Sequence, residues 1–121
     1  MLVELTDEQK ERLREWWKPQ IYDIVETDKY ENGELCVVNS ADIEIGVIGD
    51  GFHDTDYVDK AGCLPLLSIG QCIELLQNEY LFGIDRKDEV AESFWQVSCS
   101  ESLLQTNELI DALWQAVKAV L

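Results

Sequence analysis

The chain has 121 residues, 46% of them hydrophobic, a length and composition that suit one folded domain rather than two. Its 25 acidic and nine basic residues give a formal net charge of −16 at pH 7, which disfavours direct binding to nucleic-acid phosphates. No apolar run approaches the roughly 20 residues that cross a bilayer, and the charged N-terminal stretch lacks the apolar core of a signal peptide. We therefore expect a cytoplasmic protein that binds neither membranes nor nucleic acid directly.

The first predicted element is a helix that begins at Thr6. The segment TDEQ is a capping box, in which the Thr6 hydroxyl and the Gln9 side chain bond free amides of the first turn. Pro19 ends this helix. Trp16 and Trp17 stand just before it, and two interpretations are open. They form an exposed anchor for a partner, or one tryptophan lies in the core and the other half covers it.

Residues 20–67 change to short β-branched and aromatic runs separated by turns. The runs QIYDIVE and ELCVVNS flank Asn32-Gly33, which predicts a hairpin with a type I′ turn. DIEIGVI alternates apolar residues with Glu44 and Gly46, as a half-buried strand does. Pro65 in CLPLL confines that run to a sheet edge or a strand end.

A second helix is predicted from Ser68, which forms another capping box with Gln71. The apolar residues of SIGQCIELLQNEY recur at helical spacing across residues 68–80, which indicates an amphipathic helix. LFGIDRK and ESFWQVSCS then predict a second hairpin.

The last predicted helix, TNELIDALWQAVKAVL, is capped by Thr106 or Asn107 and has one broad apolar face. The elements follow the order α-β-β-β-α-β-β-α. This order predicts a single α+β domain over residues 1–121, with three helices packed on a mostly antiparallel sheet of about five short strands.

Three segments carry a resemblance to a known group of proteins: LREWWKPQ, CLPLLSIGQCIELL and ELIDALWQAVKAVL. Their layout resembles that of small, uncharacterised proteins encoded by phages and prophages of low-GC Gram-positive bacteria. The second half is also similar in layout to small phage domains described as αβα sandwiches. The resemblance implies a phage or prophage setting and supplies no catalytic residue.

The acidic loop DGFHDTDYVD raises the question of a metal site. Asp54, Asp56 and Asp59 give D-x-D-x-x-D, but an EF-hand loop needs an acidic or amide ligand at its fifth position and a glutamate at its twelfth. Here those positions hold Val58 and Pro65. Transition-metal sites draw on several histidines or cysteines, and the chain has one histidine. We expect a solvated acidic turn that binds no metal tightly.

The same loop is the strongest candidate for catalysis, because His53 adjoins Asp54 and Cys63 follows. Neighbouring residues of an extended segment point to opposite faces, so His53 and Asp54 make a poor acid–base pair. Negative surroundings would also raise the pKa of the Cys63 thiol. No nucleotide-binding, hydrolase or zinc-protease motif is present. The four cysteines lack C-x-x-C spacing and are expected to be buried apolar residues. We predict no catalytic residue, no cofactor and no metal.

We therefore base the functional hypothesis on the distribution of charge along the chain. Residues 20–59 hold eleven acids and one base, a net charge of −10, and such a field attracts basic proteins. We expect a non-enzymatic, acidic accessory protein that binds a basic partner. The candidate contact residues are Trp16, Trp17, Asp50, Asp54 and Asp56. Two alternatives stay open: a self-associating structural domain that forms a homodimer, and a nucleic-acid mimic of the anti-defence type.

Overall fold

A computed structural model describes residues 4–27, 35–49, 55–79, 81–88, 92–100 and 102–121. Within these ranges the chain forms three α-helices and eight β-strands. In chain order the elements are α1 (Asp7–Trp16), β1 (Ile24–Thr27), β2 (Leu35–Ser40), β3 (Ile45–Gly49), β4 (Asp56–Val58), β5 (Cys63–Leu66), α2 (Ile69–Leu76), β6 (Gly83–Asp88), β7 (Ser93–Cys99), β8 (Ser102–Thr106) and α3 (Leu109–Val120). The strands build two antiparallel sheets, ordered β4-β3-β2-β1-β5 and β6-β7-β8. The predicted α+β class is confirmed.

The chain divides into two compact units. The first unit is Thr6–Leu67 and contains the five-stranded sheet; the second unit is Ser68–Leu121 with Met1–Leu5 and contains the three-stranded sheet. The sequence predicted one sheet of about five strands, so both the number of strands and the number of sheets differ. That residues 1–121 form a single domain stays a prediction.

In the first unit, the capping box at Thr6 forms as predicted: Thr6 Oγ1 accepts from the Gln9 amide, and Gln9 Oε1 accepts from the Thr6 amide. Successive side chains of each strand point to opposite faces of the sheet, and one of these faces is buried. We call this the inner face; together with Trp17 its buried residues form a core cluster of Trp17, Val25, Cys36, Val38, Val47 and Cys63. The burial of this cluster fixes the register of the sheet.

Strand β5 lies at an edge of the sheet, as Pro65 predicted. Pro65 has no amide hydrogen with which to extend the ladder. Arg14 of α1 donates from Nε to the Cys63 carbonyl of this strand at 2.7 Å. Both features oppose further strand pairing along the free edge of β5.

In the second unit, Ser68 caps α2 through the predicted capping box with Gln71. Helix α2 packs against α3, and α3 packs on β7 and β8. The packed faces are apolar, and their fully buried residues are Cys72, Leu76, Val97, Ala112, Leu113, Trp114, Ala116 and Val117. The amphipathic stripes read from the sequence are therefore the faces that build this core.

Several boundaries differ from the predicted ones. Strand β8 takes up residues that the sequence left unassigned, because Leu104 pairs with Val97 across the β7–β8 ladder. Helix α3 consequently begins at Leu109, and its N-cap is Glu108 with no side-chain cap rather than Thr106 or Asn107. Helix α2 ends at Leu76, before the predicted end. The turn at Asn32-Gly33 lies outside the described residues, although β1 and β2 pair antiparallel as predicted.

Truncation of a helix residue tests the core of the second unit. Leu113 is 0% exposed, so Leu113→Ala should lower the free energy of unfolding by about 2–5 kcal/mol through lost burial and a residual cavity. Leu103→Ala is the control, because Leu103 is 57% exposed and its loss should cost about 0.5 kcal/mol or less. Urea denaturation measures both. Equal midpoints for the two variants would contradict the assignment of Leu113 to the core.

A close approach in β3 explains why Gly46 carries no side chain. The sheet has an irregularity between Val38 and Ser40, opposite Gly46. A Cβ at Gly46 would lie 2.7 Å from Thr55 Cγ2 and 2.9 Å from Asn39 Oδ1. Asn39 Nδ2 also donates to Thr55 Oγ1 at 2.7 Å, so these two side chains cover the glycine as a bonded pair.

Gly46→Ala should therefore destabilise the protein by about 1–3 kcal/mol, the usual cost of an overpacked site. Adding Thr55→Ser removes the methyl group that the new Cβ meets and keeps the hydroxyl. The double variant should recover part of the lost stability in thermal denaturation. Gly70→Ala is the control, since an added Cβ there meets only Ser68 Oγ, at 3.9 Å, and alanine favours the helix. A Gly46→Ala variant as stable as the parent would contradict the close approach.

Candidate functional site

The structure separates the two tryptophans that the sequence offered as partner contacts. Trp17 is 1% exposed and belongs to the core cluster of the first unit. Its indole Nε1 donates to Asp23 Oδ2 at 2.9 Å, so its polar atom is satisfied internally. Trp17 is therefore not a surface anchor, which corrects that assignment. Trp16 is half-buried and packs against the same cluster, in agreement with the interpretation that one tryptophan covers the other.

The acidic candidates are described only in part. Asp50 and Asp54 lie outside the described residues, and so does His53. Asp56 is half-buried at the start of β4, where it pairs with Val47 of β3. A strand therefore occupies part of the segment that the sequence assigned to a solvated turn. The prediction that residues 50–59 bind no metal stays a prediction, and within the described ranges no three His, Cys, Asp or Glu side chains group as metal ligands do.

All four cysteines are free and buried, as the sequence predicted. Burial raises the pKa of the Cys72 thiol to about 12. Burial also raises the pKa of Cys99, and the nearby negative charge of Glu79 raises it further. Cys63, the candidate nucleophile, is 0% exposed. Buried structural cysteines are inert, so these residues contribute to packing.

A pH series tests the burial of Cys72. The pKa of this thiol is about 8.5 in the unfolded chain and is higher in the folded chain. The folded state therefore holds the thiol proton more tightly. The resulting stability is present below about pH 8.5 and is lost as pH rises towards 12, with a slope of up to about 1.4 kcal/mol per pH unit. Cys72→Ala removes this contribution. Unfolding free energies from pH 8 to 11 should fall less steeply for the variant; parallel profiles would contradict the shift.

The second face of the five-stranded sheet is apolar as well. Ile24 of β1 pairs with Val37 of β2 and with Leu66 of β5, and Val37 pairs with Ile48 of β3. Directly opposite residues of antiparallel strands share a face, so these four side chains form a continuous row across four strands. We call this side of the sheet the outer face. Ile24 and Val37, the middle of the row, are each 42% exposed.

Other residues extend the outer face. Leu35 lies two positions before Val37 on β2 and is 47% exposed; Tyr57 of β4 pairs with Gly46 and is 58% exposed. Glu26, which pairs with Leu35, is the acidic residue of this face among the paired strand positions. Aliphatic and aromatic side chains that stay open to solvent in a group are typical of an interaction surface.

A tight turn precedes β1 and adjoins the outer face. Asp23 Oδ2 accepts from the Gln20 amide at 2.9 Å, and the Asp23 amide donates to the Gln20 carbonyl at 3.1 Å. The turn is tied to β2, because the Tyr22 amide donates to the Val38 carbonyl at 2.8 Å. Tyr22 has a φ of 77° and is 84% exposed, and Ile21 is 53% exposed. The turn therefore holds two apolar side chains in solvent, two and three residues before Ile24.

A cleft of about 390 Å³ lies beside β3 and β4. It is lined by Ile43, Glu44, Ile45, Tyr57, Val58, Asp59 and Lys60. Ile43 is 98% exposed, and the charged residues of the cleft carry both signs. Ligand sites usually place a few convergent polar groups in an enclosed apolar pocket. The residues that line this cleft offer no such convergent set of polar groups.

The negative charge of the first unit belongs to its strand region. Residues 6–19 hold four acids and four bases, whereas residues 20–67 hold eleven acids and two bases, a net charge of −9. On α1 the charges pair locally, with Arg12 3.1 Å from Glu8 and Arg14 3.4 Å from Glu11. The uncompensated charge therefore accompanies the segment that forms the sheet and its outer face.

Sequence reasoning did not find Tyr22, Ile24 or Val37 as surface residues. One signal was present: in ELCVVNS both alternating positions are apolar, which is typical of a strand with two apolar faces. No local sequence pattern predicts that one of those faces is exposed or that Tyr22 has a positive φ. Both features depend on the folded arrangement.

Comparison with models of protein families, with characterised proteins and with solved structures gives no match for this chain. No helix among the described residues has the length and apolar character needed to cross a bilayer. The outer face, the adjoining turn and the acidic strand region are therefore the features from which a function can be argued.

Proposed function

We propose that the protein is a non-enzymatic binding module whose outer face docks on a basic protein partner. The observation that carries the proposal is the apolar row of Leu66, Ile24, Val37 and Ile48, with its two central residues each 42% exposed. An apolar row of this kind supplies desolvation energy on binding. The site of action is the cytosol, where four free, buried thiols persist, and the proposed origin is a phage or prophage.

Charge supports a basic partner rather than a second copy of the chain. Two copies would each carry the net charge of −9 of residues 20–67, and like net charges oppose association. A basic protein meets complementary charge, which raises the rate of encounter. Surface charges are screened beyond about 8 Å at physiological ionic strength, so this attraction weakens with added salt.

The test uses a variant that changes the face and keeps the charge. In Ile24→Thr/Val37→Thr both side chains remain β-branched, which suits the strands, but lose apolar surface. Leu103→Thr, at an exposed position of the second unit, is the matched control. Each purified protein captures partners from a lysate of cells that encode it, at low and at high salt, and a captured protein is then titrated in pure form.

We expect the parent and Leu103→Thr to bind the same basic protein with equal affinity. The double variant should bind that protein at least about tenfold more weakly. Binding should also weaken at high salt. Equal affinity for the parent and the double variant would overturn docking on the outer face. If light scattering shows a dimer whose stability does not depend on salt concentration, the self-associating structural domain is favoured. If DNA displaces the captured partner, the nucleic-acid mimic is favoured.

A further inference from the structure

We infer that Tyr22 is the anchor of this binding surface and that its ring receives a cationic side chain, a guanidinium or an ammonium group, from the partner. The inference rests on the proposed function, because it identifies the residue and the contact through which the outer face recognises a basic protein. Tyr22 lies two residues before Ile24, in the turn that leads into β1, and its amide bonds the Val38 carbonyl next to Val37.

The backbone holds Tyr22 in a conformation that a residue with a Cβ seldom adopts. Its φ of 77° lies in the left-handed region, where glycine is favoured and a bulky side chain is strained. The strain persists because the surrounding bonds fix the turn: the Tyr22 amide bonds the Val38 carbonyl, the Val38 amide bonds the Asp23 carbonyl, and Asp23 accepts from Gln20. The hydrogen bonds of the turn therefore impose the left-handed backbone conformation at position 22, and the residue at that position is a tyrosine rather than a glycine.

Packing does not account for that choice. The Tyr22 side chain is 84% exposed, so its ring gives little burial energy to the fold in exchange for the strained backbone. A strained residue held by a rigid frame is a feature of functional sites. An exposed aromatic side chain on a rigid turn is also a preorganised anchor, because little conformational freedom remains to be lost on binding.

The net charge of the segment that contains Tyr22 favours a cationic group as the one that the ring receives. Residues 20–67 carry a net charge of −9, and the face of an aromatic ring attracts cations through its quadrupole. The chain itself uses such a contact, since the Arg86 guanidinium lies 5.2 Å from the centre of the Trp95 ring. An exposed tyrosine that precedes an apolar strand position in an acidic segment suits an arginine or lysine flanked by apolar residues.

The experiment compares three changes that leave the charge at pH 7 untouched. Tyr22→Gly removes the ring and relieves the left-handed strain; Tyr22→Phe keeps the ring; Leu103→Gly is an exposed-site control. The probe is a short synthetic peptide of alternating arginine and leucine, with alternating glutamate and leucine as its counterpart. Affinity is measured by calorimetric titration of the full chain, and thermal unfolding is recorded for every variant.

The expected result is binding of the arginine peptide that falls about tenfold in Tyr22→Gly and stays within about twofold in Tyr22→Phe and Leu103→Gly. Tyr22→Gly should unfold at the same temperature as the parent or higher, because strain is released. A loss of binding together with a fall in unfolding temperature would assign Tyr22 a structural role and overturn the inference.

The same titrations distinguish failure of the inference from failure of the proposed function. If Ile24→Thr/Val37→Thr weakens binding of the arginine peptide and Tyr22→Gly does not, the outer face binds without this anchor and the inference is wrong. If neither variant alters the affinity, both are wrong. Equal binding of the glutamate and arginine peptides would overturn the cationic partner for both.

Discussion

The carboxylate of Asp23 is the contact on which the arrangement of the first unit depends. One oxygen, Oδ2, accepts from the Trp17 indole and from the Gln20 amide, each at 2.9 Å. It therefore joins the end of α1, the turn and the first strand. Trp17 is fully buried, and an indole N–H buried without an acceptor would cost about 1–3 kcal/mol. The backbone carbonyl of Asp23 also accepts from the Val38 amide, so the residue that satisfies the core tryptophan also belongs to the turn in which Tyr22 is exposed.

The five-stranded sheet has two apolar faces with different fates. The side chains of its inner face are buried in the core cluster, which includes Trp17. On its outer face, Ile24 and Val37 remain partly exposed to solvent. An open apolar sheet face promotes aggregation unless something opposes it. The uncompensated acidic charge of residues 20–67 opposes contact between copies. The same acidic charge underlies the proposed attraction to a basic partner.

The sequence predicted what depends on local chemistry. Both capping boxes, the amphipathic faces of α2 and α3, the antiparallel pairing of β1 with β2 and the edge position of Pro65 follow from short-range patterns, and the structure confirms them. The split into two sheets, the strand β8 and the exposure of Val37 depend on pairings between distant segments. Such pairings leave no periodic signal. The acidic residues attracted notice in the sequence, but the exposed row emerges only from the register.

The two sheets differ in how their strands follow one another along the chain, and this bears on the order in which they form. Within the part of the chain that the structure describes, strands β6, β7 and β8 pair with sequence neighbours alone, so their ladders close short loops at little entropic cost. The pairing of β1 with β5 instead joins Ile24 to Leu66, with β2, β3 and β4 between them. Long-range pairing slows folding. During synthesis the first unit leaves the ribosome earlier, yet its last ladder must wait for β5, and until then the edge of β1 is available to other chains.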